Sequence, residues 1–125
     1  MAAGPKWGKL LGESGHLYPF KFYALNMVLR GFPKFTDVPG VYTFAKEKHN
    51  NITGHPDYDP LYVGETKSFQ DRIVETHSHW ECADKHGSNY IGIYEMPDSS
   101  PDERKAVEDD IIDKYVPPCN KTSTP

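Results

Sequence analysis

Residues 40–64, which read GVYTFAKEKHNNITGHPDYDPLYVG, decide the fold. From Val41 to Ala45, small or aliphatic side chains alternate with aromatic ones, and this period of two predicts a β-strand. Asparagine, glycine and proline crowd residues 50–60, which predicts a polar loop, and residues 61–63 begin a second strand. Two strands joined in this way are expected to pair antiparallel.

The next segment of the chain predicts a helix and a third strand. Ser68 is a candidate N-cap with Asp71 three residues later, so a helix is expected from about Phe69 to Trp80. Residues 90–96 are rich in β-branched and aromatic side chains and predict a strand. The three strands together indicate one small sheet.

A capping-box pattern opens the last predicted helix. Ser100 and Glu103 have the required spacing, with Pro101 at the first helical position, and the helix must end before Pro117. Glu108 then falls on the apolar stripe of this helix. A carboxylate in that position is costly unless it is paired or bound to a metal.

The N-terminal segment is predicted to be an arm followed by a short helix. Residues up to about Gly15 show little periodicity, which is typical of a loose arm. Phe20, Tyr23 and Met27 then fall on one helical stripe, which Gly31 ends.

These elements predict one domain of α/β class. The order helix, strand, strand, helix, strand, helix indicates an α+β sandwich with a small central three-stranded antiparallel sheet flanked by helices. A length of 125 residues suits a single core. We expect a basic arm and helix over 1–37, the main domain over 38–121 and a tail over 122–125.

Charge is unevenly distributed along the chain. The net charge of −4 argues weakly against a protein that binds nucleic acid. Residues 1–35, however, hold five basic side chains and one acidic one, a net charge of +4 that leaves −8 for the remainder. If DNA is the partner, this basic segment is where its phosphates are expected to bind.

The two cysteines and the absence of a long apolar run indicate an intracellular protein. Cys82 and Cys119 fit neither a paired-cysteine metal site nor a dense disulfide framework, and we interpret them as free thiols in a reducing compartment. Neither a leader sequence nor a membrane span is evident. We therefore expect a cytoplasmic protein, associated with the nucleoid if the source is prokaryotic.

Two short motifs and three single residues resemble a known family. Residues 40–42 (Gly-Val-Tyr) and 62–64 (Tyr-Val-Gly) resemble the two half-motifs that name the GIY-YIG nucleases, each with valine in place of isoleucine. Arg72 follows the second tyrosine by ten residues, and Asn120 follows Glu108 by twelve, as in the family's pattern. Five separated positions in register are far more specific than either tripeptide.

The resemblance covers about residues 38–121 and implies a GIY-YIG nuclease domain, a stand-alone metal-dependent endonuclease acting on DNA. It implies that Glu108 holds a single Mg²⁺ or Mn²⁺, that Arg72 clamps the phosphate and that Tyr42 is the general base. The other implied site residues are Tyr62 and Asn120 in the catalytic set, with Gly64, Lys67, His77 and His79 at the substrate.

The residue types suit phosphodiester hydrolysis. A hard cation held by one carboxylate and several waters activates water and stabilises the leaving oxygen. An arginine fork matches the non-bridging phosphate oxygens better than a lysine does. A tyrosine with a pKa near 10 must be acidified by the metal or the arginine before it can accept a proton.

The chain departs from the family's pattern in three places. Thr76 stands where many relatives have histidine or tyrosine, and Glu65 follows the second half-motif where some carry lysine. The separation of 20 residues from Tyr42 to Tyr62 exceeds the commoner spacing, so we interpret residues 46–60 as an inserted loop. The first two departures concern the proton relay and phosphate binding, and such a loop often reaches toward substrate.

A second copy of the motif, Tyr-Ile-Gly at 90–92, is a coincidence of composition. If these residues were the working half-motif, position 100 should be arginine, but it is Ser100. Residues 90–92 are therefore assigned to the third strand.

Two alternatives stay open. The spacing of His77, His79, Cys82 and His86 could provide a zinc site in a metal-stabilised binding module. The same fold could also bind nucleic acid or a protein without cutting. We expect a monomer or weak homodimer, because a single site cuts one strand and double-strand cleavage needs two.

Overall fold

The computed structural model describes residues 6–29, 35, 37–54, 56–69 and 79–120. These residues form an α+β structure with one five-stranded antiparallel sheet and three helices. In chain order the elements are β1 (Lys6–Leu11), β2 (Leu17–Ala24), α1 (Leu25–Leu29), β3 (Gly40–His49), β4 (Pro56–Thr66), α2 (Trp80–Lys85), β5 (Tyr90–Glu95) and α3 (Pro101–Tyr115).

The sheet has five strands instead of the predicted three. Its order is β1-β2-β5-β3-β4, which makes β1 and β4 the edges. The sheet curls so that the two edge strands approach each other on one face. A Cβ atom built on Gly8 of β1 would lie 2.8 Å from the ring of Tyr58 on β4.

The N-terminal prediction is wrong. The expected arm and the expected helix from Phe20 are a β-hairpin, in which Lys6–Leu11 pairs with Leu17–Ala24. Helix α1 begins only at Leu25. Phe20 and Phe22 are both fully buried, and their period of two competes with the helical spacing of the same segment. Pairing with β1 and β5 decides between the two patterns.

The central hairpin confirms the predicted strands and their antiparallel pairing. The predicted loop over 46–60, however, is mostly strand, because β3 and β4 remain paired up to His49 and Pro56. The register shifts between Phe44 and Ala45, and the two strands stay paired beyond the shift. At the tip of the hairpin, the side-chain oxygen of Asn50 accepts hydrogen bonds from the backbone amides of Ile52 and Thr53. These bonds stabilise a tight turn.

Opposite faces of the sheet carry separate buried clusters, which follow from the alternation of side chains along each strand. The tyrosine face is formed by Leu25, Tyr42, Phe44, Tyr62, Phe69, Ala83, Ile91, Ile93 and Cys119. The helix face is formed by Leu10, Tyr18, Phe20, Phe22, Val41, Ala45, Tyr58, Val63 and Ile111.

Helix α3 closes the helix face as the sequence predicts. Ser100 and Glu103 form the capping box, Pro101 is the first helical residue, and the helix ends at Tyr115 before a left-handed residue, Val116, at φ 47°. The Tyr115 hydroxyl accepts a hydrogen bond from the Leu11 amide at 2.9 Å. The last helix is thereby tied to the first strand.

The predicted helix from Phe69 to Trp80 lies mainly outside the described residues, which stop at Phe69 and resume at His79. Helix α2 spans Trp80–Lys85, beyond the predicted end. Ser68 is buried, whereas Asp71, its predicted capping partner, is not described. Strand β5 confirms the predicted third strand.

A disulfide joins Cys82 to Cys119, so the prediction of free thiols is wrong. Helix α2 and the segment after α3 meet on the tyrosine face, although 37 positions separate the two cysteines in sequence. The argument for a reducing compartment loses its basis with this pairing. In the part of the chain that the structure describes, none of the helices has the length and apolar character needed to cross a bilayer.

Candidate active site on strand β4

The two half-motifs face each other across the central hairpin. Tyr42 on β3 is the cross-strand partner of Gly64 on β4. A Cβ atom on Gly64 would lie 2.7 Å from both the Cζ and the hydroxyl oxygen of Tyr42. The glycine of the second half-motif is therefore required by the tyrosine of the first, because the ring covers the position where a side chain would stand.

An aromatic group surrounds this pair on the tyrosine face. The rings of Tyr42 and Tyr62 have centroids 6.0 Å apart, and His79 is stacked on Tyr62 at 4.2 Å and an interplanar angle of 15°. Tyr42 is fully buried and Tyr62 is 8% exposed. The structure thus brings together three predicted site residues, Tyr42, Tyr62 and His79.

Asn120 covers the free edge of β4. Its side-chain oxygen accepts a hydrogen bond from the Val63 amide at 2.7 Å, and its side-chain nitrogen donates to the Val63 carbonyl at 2.8 Å. The neighbouring Cys119 amide donates to the Leu61 carbonyl at 2.9 Å. These bonds replace those of a further strand, so Asn120 is a positioning residue for β4.

Glu108 is buried between α3 and β4. It is 8% exposed, and one carboxylate oxygen accepts a hydrogen bond from Lys105 at 2.9 Å. Burial raises the pKa of Glu108; Lys105 lowers it in part, and the nearby Asp109 and Glu65 carboxylates raise it further. A cation placed at this carboxylate would relieve an unfavourable negative charge.

Glu65, one of the three departures from the family pattern, has a structural partner. Its carboxylate lies 3.2 Å from the guanidinium of Arg104, whose side chain is 6% exposed. Arg104 also donates to the Ser99 carbonyl at 2.7 Å. Glu65 therefore neutralises a buried arginine that fixes the start of α3 against β4.

Four consecutive residues of β4, Tyr62 to Glu65, lie next to candidate site residues from other elements of the fold. Tyr62 and Gly64 meet Tyr42 on the tyrosine face. Val63 is bonded to Asn120 at the edge, and the Glu65 carboxylate lies near enough to Glu108 to raise its pKa. Glu65 belongs to the opposite face from Tyr62 because side chains alternate. The described candidates are thus arranged around one edge strand, on both sides of it.

Three other predicted positions contribute little that the structure describes. Lys67 is exposed directly after β4. Arg72 and His77 lie outside the described residues, as does Thr76.

Two basic residues near the site were missed by the sequence reasoning. Lys105 precedes Glu108 by three residues, a spacing that places the two side chains together on a helix. This pair could therefore have been predicted from the sequence. The pairing of Arg104 with Glu65 spans 39 residues, and no local pattern could indicate it.

The donor chemistry at Glu108 fits a hard divalent cation. Mg²⁺ is commonly held by one or two carboxylates and keeps most of its waters. Glu108 offers one buried carboxylate, and among the residues that the structure describes it is bonded to Lys105, whose side chain is 60% exposed. For the zinc alternative, the structure gives a different set of candidate ligands from the one that the sequence spacing suggested. Cys82 and His86 are grouped with Cys119 and not with His79.

Comparison of this chain with protein-family models, curated proteins and solved structures gave no match. The likeness to GIY-YIG nucleases accordingly stays a resemblance, carried by the spacing of the motifs. The observed pairing of Tyr42 with Gly64 shows that the two half-motifs lie side by side on adjacent strands.

Proposed function

We propose that this chain is a metal-dependent endonuclease of the GIY-YIG type that hydrolyses phosphodiester bonds in DNA. One observation supports the proposal: Tyr42, Asn120 and Glu108 come from three other parts of the chain and all lie beside residues 62–65 of the edge strand β4, with Tyr42 and Glu108 on opposite faces of the sheet. Each of these contacts involves a residue implied by the motif resemblance. A nuclease site needs a carboxylate and a proton acceptor at the same phosphate, so the proposal requires DNA to reach both groups around the edge of β4.

Glu108 would hold the cation, which is Mg²⁺ or Mn²⁺ in this proposal. When bound, such a cation activates water and stabilises the leaving oxygen. The burial that raises the pKa of Glu108 also favours any positive charge placed beside it. Lys105 occupies that role in the structure and has an exposed stem that can withdraw.

Tyr42 and Tyr62 would handle the proton and the substrate. Tyr42 is fully buried, so the proposal requires its hydroxyl to be uncovered when DNA binds. His79, stacked on Tyr62, is a second candidate for proton transfer in this proposal. The phosphate clamp assigned to Arg72 rests on the motif spacing alone.

DNA is supported as the partner by the outer side of the first hairpin. Trp7 is 66% exposed on β1, and Lys9 is exposed two residues later on the same side. An exposed aromatic ring beside a cation suits contact with a nucleic acid strand. Two other lysines of the basic segment are engaged, Lys6 with Glu47 at 3.2 Å and Lys21 with Glu95 at 3.4 Å. The basic segment is therefore less positive at its surface than its composition suggests.

The second candidate is a binding module on the same fold that does not cut. Two observations favour it: the Tyr42 side chain is fully buried, and Glu108 has an internal counter-ion in Lys105. Both arrangements are compatible with residues that serve only packing. The two candidates differ in whether metal-dependent cleavage occurs.

The deciding experiment incubates the protein with single-stranded, double-stranded and branched DNA in Mg²⁺, Mn²⁺ or EDTA. We expect single-strand nicks that need the metal and fall by roughly a hundredfold or more in Glu108→Ala and Tyr42→Phe. Asp113→Ala on the exposed side of α3 and Tyr23→Phe on the same sheet face are matched controls that keep activity.

Cleavage that is unchanged in Glu108→Ala would overturn the mechanism. DNA binding without cleavage in any metal, with Trp7→Ala weakening it, would establish the second candidate.

A further inference from the structure

Three ligand-type side chains meet where α2 approaches the segment after α3. The ligand atoms of Cys82, His86 and Cys119 all lie within 4.8 Å of one another. His86 Nδ1 is 3.8 Å from the sulfur of Cys82 and 3.8 Å from the sulfur of Cys119. A disulfide requires only the two cysteines, so the histidine equidistant from both sulfurs needs a separate explanation.

The spacing suits tetrahedral zinc. Zinc bonds of about 2.3 Å to sulfur and about 2.0 Å to nitrogen, at tetrahedral angles, place nitrogen and sulfur roughly 3.5 Å apart. Both observed nitrogen-to-sulfur distances of 3.8 Å are within a few tenths of that value. Cys82 and His86 stand four residues apart at the end of α2, which puts them on one side of the helix.

The surroundings allow a metal to enter and stay. Cys119 is 5% exposed, Cys82 is half-buried and His86 is exposed, so the group opens to solvent on the histidine side. In the disulfide form His86 Nδ1 donates to the Cys82 carbonyl at 2.9 Å. That carbonyl also accepts from the His86 amide at 3.2 Å, so it keeps a partner if the ring proton moves to Nε2 and Nδ1 becomes a ligand.

We propose that the reduced chain binds one Zn²⁺ through Cys82, His86 and Cys119, with water as the fourth ligand, and that this form alternates with the disulfide. Binding to two thiols and a neutral imidazole releases two protons. A peroxide reverses it: two thiolates and hydrogen peroxide yield the disulfide and two hydroxide ions, and zinc is released.

Either cross-link holds the same part of the candidate site. Cys119 immediately precedes Asn120, and both are bonded to the backbone of β4. A disulfide or a zinc ion therefore anchors this segment to α2, whereas the reduced, metal-free chain has neither anchor. The zinc site is distinct from the proposed Glu108 site, and its test needs no DNA and no cleavage.

The experiment uses the full chain, reduced with a phosphine and freed of reductant and metal under argon. CoCl₂ is titrated as a spectroscopic probe, followed by ZnCl₂. We expect saturation at one cobalt per chain with a thiolate-to-cobalt charge-transfer band and the visible bands of tetrahedral coordination, and displacement of cobalt by zinc. The oxidised chain should show neither the charge-transfer band nor the tetrahedral bands, because its sulfurs are not thiolates.

Single substitutions test which residues bind the metal. Cys119→Ser and Cys82→Ser should weaken binding by roughly a hundredfold or more, and His86→Ala by at least about tenfold. His49→Ala, at the exposed end of β3, is the matched control and should bind as the parent does. His86→Ala still forms the disulfide when oxidised, so its folding can be verified in that state.

Alkylation provides a measurement without any substitution. Zinc should protect both thiols of the reduced chain from iodoacetamide, as counted by mass spectrometry. A reduced parent chain that binds no metal would overturn the proposal. So would metal binding that is equally tight in Cys119→Ser, which would instead indicate a site on α2 and its preceding histidines.

Discussion

The two faces of the sheet are covered by different kinds of interaction. On the helix face, α3 and both hairpins close over one another, and polar side chains of α3 are hydrogen-bonded to the first hairpin. Asp110, for example, accepts hydrogen bonds from the Ser14 and Tyr18 hydroxyls, both at 2.7 Å. On the tyrosine face, Tyr42, Tyr62 and His79 form an aromatic group beside a cross-link. The helix face holds the chain ends together, and the tyrosine face carries the motif.

The largest effect is expected from the centre of the helix face. Ile111→Ala should lower the free energy of unfolding by about 2 to 5 kcal/mol, because Ile111 is fully buried and its loss leaves a cavity. Urea denaturation measures the change. Ile112→Ala, which is only partly buried, is the control and should cost clearly less. Equal costs would mean that α3 does not seal this face as described.

The next effect tests the pairing of the half-motifs on the tyrosine face. Gly64→Ala should cost about 1 to 3 kcal/mol, because its Cβ would meet the Tyr42 ring at 2.7 Å. The double variant Tyr42→Leu/Gly64→Ala should cost less than the sum of the two single changes. Strict additivity in urea unfolding would contradict the steric account.

At the edge of β4, where the two faces meet, we expect a smaller loss of stability. Asn120→Ala should cost about 1 to 2 kcal/mol, because it removes both hydrogen bonds to Val63 from a partly buried edge. Hydrogen exchange at the Val63 amide should accelerate. Asn26→Ala on exposed α1 is the matched control. Unchanged exchange at Val63 would show that another group covers this edge.

The smallest effect has the opposite sign and concerns Glu108. Burial raises the pKa of Glu108, so its favourable contribution to stability is complete below the unfolded pKa and is lost as pH rises through the folded pKa. Without metal, Glu108→Gln should therefore raise the melting temperature by a few degrees at neutral pH. The difference from the parent should shrink as the pH falls from about 7 to about 4.

Added Mg²⁺ should stabilise the parent and leave Glu108→Gln unchanged if the carboxylate holds the cation. Comparing the two chains also removes the contribution of Asp110. Its pKa is lowered by hydrogen bonds from Ser14 and Tyr18, so its contribution is lost as the pH falls. A Glu108→Gln chain that is less stable than the parent at neutral pH without metal would show that the Lys105 pair outweighs burial.

Local patterns in the sequence determined the central hairpin, the third strand and helix α3. Alternation from Val41 to Ala45 and the capping box at Ser100 depend on neighbours within a few residues, so the chain carries their signals in order. The pairing of Glu108 with Lys105 belongs to the same class, since both residues stand on one helix face. The candidate residues Tyr42 and Gly64 were likewise placed by motif spacing.

Tertiary structure alone decided what depends on distant partners. Residues 17–28 carry both a strand period and a helix period, and only pairing with β1 and β5 selects the strand up to Ala24. The pairings of Cys82 with Cys119 and of Arg104 with Glu65 each join positions more than thirty residues apart. The physical reason is that burial and pairing energies arise between elements, whereas a sequence pattern reports only the preferences of each element by itself.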